Sequence, residues 1–152
     1  MVDKLKVHKE GVNAVADEAR RSGAADVQIK VIDRALYVSC LLKGSRVFIR
    51  VRATGDYENA KFEEASFTVY PSDAQKVTAV ASAQGAVGLF AFVCLHKGAV
   101  AIRYEKATKV AARARRAQAS YHGTRLRFIW FSQLTVCIHQ IGKLLAPVSL
   151  AA

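Results

Sequence analysis

The stretch "ALYVSCLLKGSRVFIRVRATG", residues 35–55, decides how the chain folds. Its first eight residues are almost uniformly apolar and fit a buried strand. Lys43, Gly44 and Ser45 make a short turn of hairpin type. The return strand alternates, with Val47, Ile49 and Val51 on one face and Arg46, Phe48, Arg50 and Arg52 on the other. Two arginines two residues apart therefore face the same way in a strand that reads as central to the sheet.

Upstream, "EGVNAVADEARRS" (10–22) spaces Val12, Val15, Ala16 and Ala19 as one helical stripe, and Gly23 is a stop signal. "DVQIKVID" (26–33) sets Val27, Ile29 and Val31 against Gln28 and Lys30, the pattern of a strand with one wet face. Downstream, residues 55–65 read as a loop with an acidic patch at Asp56, Glu58, Glu63 and Glu64. "SFTVYP" (66–71) is a short strand ended by Pro71. Ser72 or Asp73 is the expected cap of a helix through "AQKVTAVASAQ" (74–84), stopped by Gly85. "VGLFAFVCL" (87–95) and "AVAIRYE" (99–105) form a hairpin around "HKG". The alanine-rich "KATKVAARARRAQASYH" (106–122) predicts a helix, with Lys106, Lys109, Arg113 and Arg116 on one face. The apolar segment 124–152 reads as a strand at 125–131 and then a short helix, packed on the body or on a second subunit. The order predicts a single α/β domain over residues 1–152, with a central mixed β-sheet flanked by helices.

The chain has 152 residues, enough for one domain with a real core, and 52% of them are hydrophobic, which excludes a disordered tail. No apolar run is long enough for a bilayer, so no membrane partner is expected. The opening "MVDKLKVHKEGVN" lacks the features of a signal peptide, which leaves the cytoplasm as the default location. Cys40, Cys94 and Cys137 share no metal or disulfide spacing and read as small buried hydrophobes. His8, His96, His122 and His139 likewise show no metal or triad pattern, and "GAVG" (85–88) is a helix-to-strand turn, not a phosphate cradle. Neither a metal nor another cofactor is expected.

Charge narrows the partner. Lys and Arg number 23 against 12 Asp and Glu, a formal +11. From Lys106 to Arg127 the basic residues Lys106, Lys109, Arg113, Arg115, Arg116, Arg125 and Arg127 stand without an acid between them. Such a field favours polyanions, nucleic acid first; the plain alternative is a solvated basic face that keeps the protein soluble. Tyr121, Phe128 and Trp130 mix rings into this region, as single-strand binders do, although a core or a dimer interface is the preferred reading of Phe128, Trp130 and Phe131.

The layout of amphipathic helix, hairpin, short strand, helix and closing hairpin resembles that of the archaeal Holliday-junction resolvases, members of the PD-(D/E)xK nuclease superfamily. The resemblance covers residues 10–106. It is carried by 35–55 and by "FTVYPSDAQKVTAVASAQGAVGLFAFVCLHKGAVAIRYEKA", which is similar to that family's later strand, helix, buried strand and hairpin. It implies a restriction-endonuclease-like fold, a homodimer, and DNA, branched or structured, as the partner, with a larger nuclease or repair protein as a further possible one.

The departures from the family are at its chemistry. Its aspartate falls at Ala35, its glutamate at Arg50 and its lysine at Arg52. Alanine offers no ligand. A positive unit charge 4 Å from another costs about 4 kcal/mol at an effective dielectric near 20, so arginine repels the divalent ion such sites hold. Arginine cannot act as a base. It does bind phosphate directly and in bidentate fashion. The resemblance thus implies a disarmed nuclease in which Arg50 and Arg52 clamp phosphate. Lys43, Arg46 and Tyr70, together with Lys109, Arg113, Arg116 and Arg125, are further candidates for backbone contacts. The alternative for Arg50 and Arg52 is plain solvent exposure, or ion pairs with the acidic loop. Three other functions compete: an active nuclease using Asp26, Asp33 or the acids of the 56–64 loop; a non-catalytic subunit of a tRNA-splicing endonuclease; and a single-stranded DNA-binding protein.

Overall fold

The computed structural model describes residues 4–55, 66–96, 99–112 and 127–130. They form helix α1 (Lys4–Arg21), strands β1 (Ala25–Ile32), β2 (Ala35–Leu42), β3 (Ser45–Gly55) and β4 (Ser66–Val69), helix α2 (Pro71–Ala83), and strands β5 (Val87–His96), β6 (Ala99–Lys106) and β7 (Arg127–Trp130). Residues 107–112 are also helical. Five strands make one mixed sheet in the order β1-β2-β3-β5-β6. All neighbours are antiparallel except β3 and β5, which run parallel because the chain crosses over through α2 between them. This is the α/β domain, mixed sheet and flanking helices that the sequence predicts.

The two hairpins at the start of the sheet are closed by two-residue turns. Lys43 and Gly44 both have positive φ, 52° and 82°, and so do Asp33 and Arg34, at 52° and 68°. That geometry matches the twist of the strands it joins, and only glycine adopts it without steric cost.

Helices cover both faces. The stripe Val12, Val15, Ala16 and Ala19 of α1 lies on Val38, Cys40, Val47, Ile49, Val51, Leu89, Ala91 and Val93. On the other face Ala74, Val77 and Ala81 of α2, with Ala107, Val110 and Ala111, cover Tyr37, Phe48, Phe90, Phe92 and Cys94. Phe92 anchors this second layer, with ring centroids 4.9 Å from Phe67 and 5.7 Å from Phe90. Each such side chain taken out of water contributes about 1.5–3 kcal/mol. Cys40 and Cys94 are buried, as the sequence predicts, and burial raises the Cys40 thiol above its ordinary value; Cys137 lies outside the described residues.

Three local expectations are corrected. The first helix starts at Lys4, well before residue 10, because Val7 already packs against Gly55 at the end of β3. Neither Ser72 nor Asp73 caps α2. Tyr70 takes the cap position without a side-chain hydrogen bond, and Pro71, whose fixed φ suits a first helical residue and which has no N–H to satisfy, starts the helix. Lys106 ends β6, opposite Leu89, and so is not part of the basic helical face. The strand expected at 125–131 is β7, antiparallel to β4 in a separate two-stranded sheet.

The fit of α1 on β3 is close enough to exclude a methyl group. A Cβ placed on Gly11 would lie 2.5 Å from the Cβ of Ala53. This glycine, in mid-helix where it costs about 1 kcal/mol relative to alanine, lets the first turns of α1 settle over the last residues of β3.

Candidate anion-binding cleft

The tail of β3 builds the site. Pairing between β2 and β3 ends at Tyr37↔Arg50, while β3 continues alongside β5 to Gly55↔Leu95. Beyond Arg50, β3 therefore projects past its hairpin partner. The first turns of α1 close over that projection. Val7, His8, Arg50, Arg52, Ala53, Thr54 and Gly55 line a cavity of about 530 Å³ there. It opens at the carboxyl end of parallel strands, the usual place for ligands in open α/β sheets.

Arg50 is half-buried and held by backbone carbonyls. Its Nη1 donates to Val51 O at 3.0 Å and, at the limit of hydrogen-bond length, to Leu36 O at 3.5 Å. Burial, and next the charge of Arg52, lower its pKa, with the Tyr37 and Asp73 fields opposing; a guanidinium remains protonated throughout. Arg52, also half-buried, lines the same cavity. The His8 imidazole is held below its ordinary value, first by burial and then by the positive charges of Arg50 and Arg52. The described wall thus carries two fixed cations and one imidazole, and no carboxylate.

The sequence pairing of Arg50 with Arg52 therefore lands in one cavity, and the reading of Arg50 as a plain exposed arginine does not hold. Ala35 begins β2 beside that end of the hairpin, but does not line the cavity. Other candidates lie apart. Arg46, at the far end of β3, ion-pairs with Asp26 at 3.0 Å, and Lys43 is in the turn at that same end. Tyr70 is half exposed at the start of α2, and Lys109 is exposed on the 107–112 helix. Arg113, Arg116, Arg125 and the acids of the 56–64 loop lie outside the described residues. The relocated acids do not gather either. Asp26 is tied to Arg46 and Gln28, and Asp33 lies 3.5 Å from the Lys76 ammonium. Among the described residues no group of three His, Cys, Asp or Glu is placed to hold a metal ion, and no helix is long and apolar enough to cross a membrane.

Sequence reasoning missed His8. The signal was present: His8 lies four residues before Val12, on the stripe that continues to Val15, Ala16 and Ala19. Its face was legible, but not the docking of that turn over the end of β3.

No family model, curated protein or solved structure matches this chain.

Proposed function

We propose that this chain binds nucleic acid, DNA of branched or structured form first, by gripping phosphate with Arg50 and Arg52 in a resolvase-like fold that has lost its catalytic carboxylates. The observation that carries this reading is the convergence of both guanidinium groups in one cavity whose described wall has no acid. A metal-dependent nuclease uses carboxylates and metal to meet phosphate charge at such a site; two arginines meet it directly. The formal charge of +11 supplies the wider attraction that draws a polyanion in.

Phosphate binding is sequence-independent and weakens with salt. Binding of a four-way junction, a duplex and a single strand is measured by fluorescence anisotropy across a salt series. Replacing Arg50 and Arg52 by glutamine lowers affinity and flattens the logarithmic salt dependence by about 1 for each phosphate no longer held. Arg20→Gln with Arg21→Gln removes the same charge from the distal end of α1 and serves as the control for net charge. If both double variants behave alike, the clamp is refuted. Strand scission with magnesium or manganese by the wild-type chain refutes the disarmed-nuclease reading.

A further inference from the structure

We propose that the cleft seats a terminal phosphate monoester, a phosphorylated nucleic-acid end, with the His8 imidazole as third ligand beside Arg50 and Arg52. This rests on the nucleic-acid reading above and narrows it from the backbone to the end of a strand.

The size suits an end. The residues from α1 and β3 line a half-open cleft of about 530 Å³, a volume in the range of pockets that take a small ligand. A terminal phosphate and its sugar fit such a space. The charges argue for a monoester. A backbone diester carries one negative charge, whereas a terminal phosphate carries about 1.5 to 2 at pH 7. Two guanidinium groups in a partly buried cavity match the second better.

His8 then has a defined part. Of the elements packed against α1, β3 supplies the charged groups acting on the imidazole, Arg50 and Arg52. Burial and the charges of Arg50 and Arg52 oppose protonation. A dianion between the guanidinium groups reverses their effect, so that the ring gains a proton and donates a second charged hydrogen bond. Seating the dianion therefore takes up one proton at a pH where free His8 is neutral. Affinity falls up to about tenfold per pH unit as pH rises above 7.

The test compares one oligonucleotide bearing 5′-phosphate, 3′-phosphate or hydroxyl ends, at pH 7 and pH 8, with wild type, His8→Gln and Arg50→Lys/Arg52→Lys. The expected result is at least tenfold tighter binding of one phosphorylated end by wild type at pH 7. That preference shrinks at pH 8, and in His8→Gln it is smaller and independent of pH. Inorganic phosphate added to the wild-type protein raises the His8 pKa in an NMR titration; the lysine variant, which keeps the charge but not the bidentate geometry, shows a smaller rise. Equal affinity for all three ends overturns the inference while leaving the backbone clamp intact. A preference that His8→Gln retains in full removes His8 from the site. The clamp itself falls only if the glutamine double variant binds as its control does, so the two failures are distinguishable.

Discussion

Replacing Gly11 by alanine tests how closely α1 must sit on β3. In an isolated helix the change is favourable by about 1 kcal/mol. Here the added methyl would lie 2.5 Å from Ala53 Cβ, and ordinary carbon contact requires the helix to retreat by about 1 Å. Forcing an extra methyl into a packed layer costs about 1–3 kcal/mol. Set against the helical gain, the net is a loss of about 1 kcal/mol, or a Tm lower by about 2–4 °C in a domain of this size. The retreat also moves His8 away from β3, so its imidazole titrates closer to the ordinary value. Thermal denaturation gives the stability, and NMR titration of the ring gives the second readout. Ala53→Gly removes the opposing methyl, so the double variant recovers stability beyond the sum of the singles. If Gly11→Ala alone stabilises by the full helical gain, or the two changes add without coupling, the account of this glycine is wrong.

Four further outcomes follow from the geometry. His8 has a folded pKa below its unfolded value of 6.5, so the unfolded state binds more protons; stability is complete above 6.5 and declines as pH falls through that window, and urea titrations of His8→Gln lack this slope. Arg34→Gly places glycine at a positive-φ turn position and raises stability by up to about 1 kcal/mol; a lower Tm contradicts the strain assigned there. Tyr104 is fully buried and its hydroxyl donates to Glu18 Oε1 at 2.7 Å, so Tyr104→Phe loses about 1.5–3 kcal/mol in chemical denaturation. Phe92→Ala empties the centre of the α2-side layer and costs about 3–5 kcal/mol; a loss below 1 kcal/mol would show that the Phe67–Phe92–Phe90 contacts are not tightly packed.

Local pattern made the sheet legible. The apolar run 35–42, the Lys43-Gly44 turn and the alternation after it are properties of neighbouring residues, and β2 and β3 follow them. The same alternation put Arg50 and Arg52 on one face. The identity of that face was less accessible, because it depends on what covers it. Phe48, on the arginine side, is 1% exposed since α2 and residues 107–112 pack over it. His8 was hidden for a related reason. Spacing ties a histidine to nearby histidines, cysteines and serines, whereas its partners are arginines more than forty residues away, brought near by helix docking. The early start of α1 has the same origin: Val7 is held by contact with β3.

In β3 the scaffold and the cleft share a single run of chain, interleaved residue by residue. Mutational scanning of this segment would give a two-beat signal. Odd positions, Val47, Ile49 and Val51, report in a folding screen, while Arg50 and Arg52 report in a binding screen with abundance nearly preserved. Selection for ligand preference at Arg50 and Arg52 therefore acts on residues other than Val47, Ile49 and Val51, which hold the α1 layer in place.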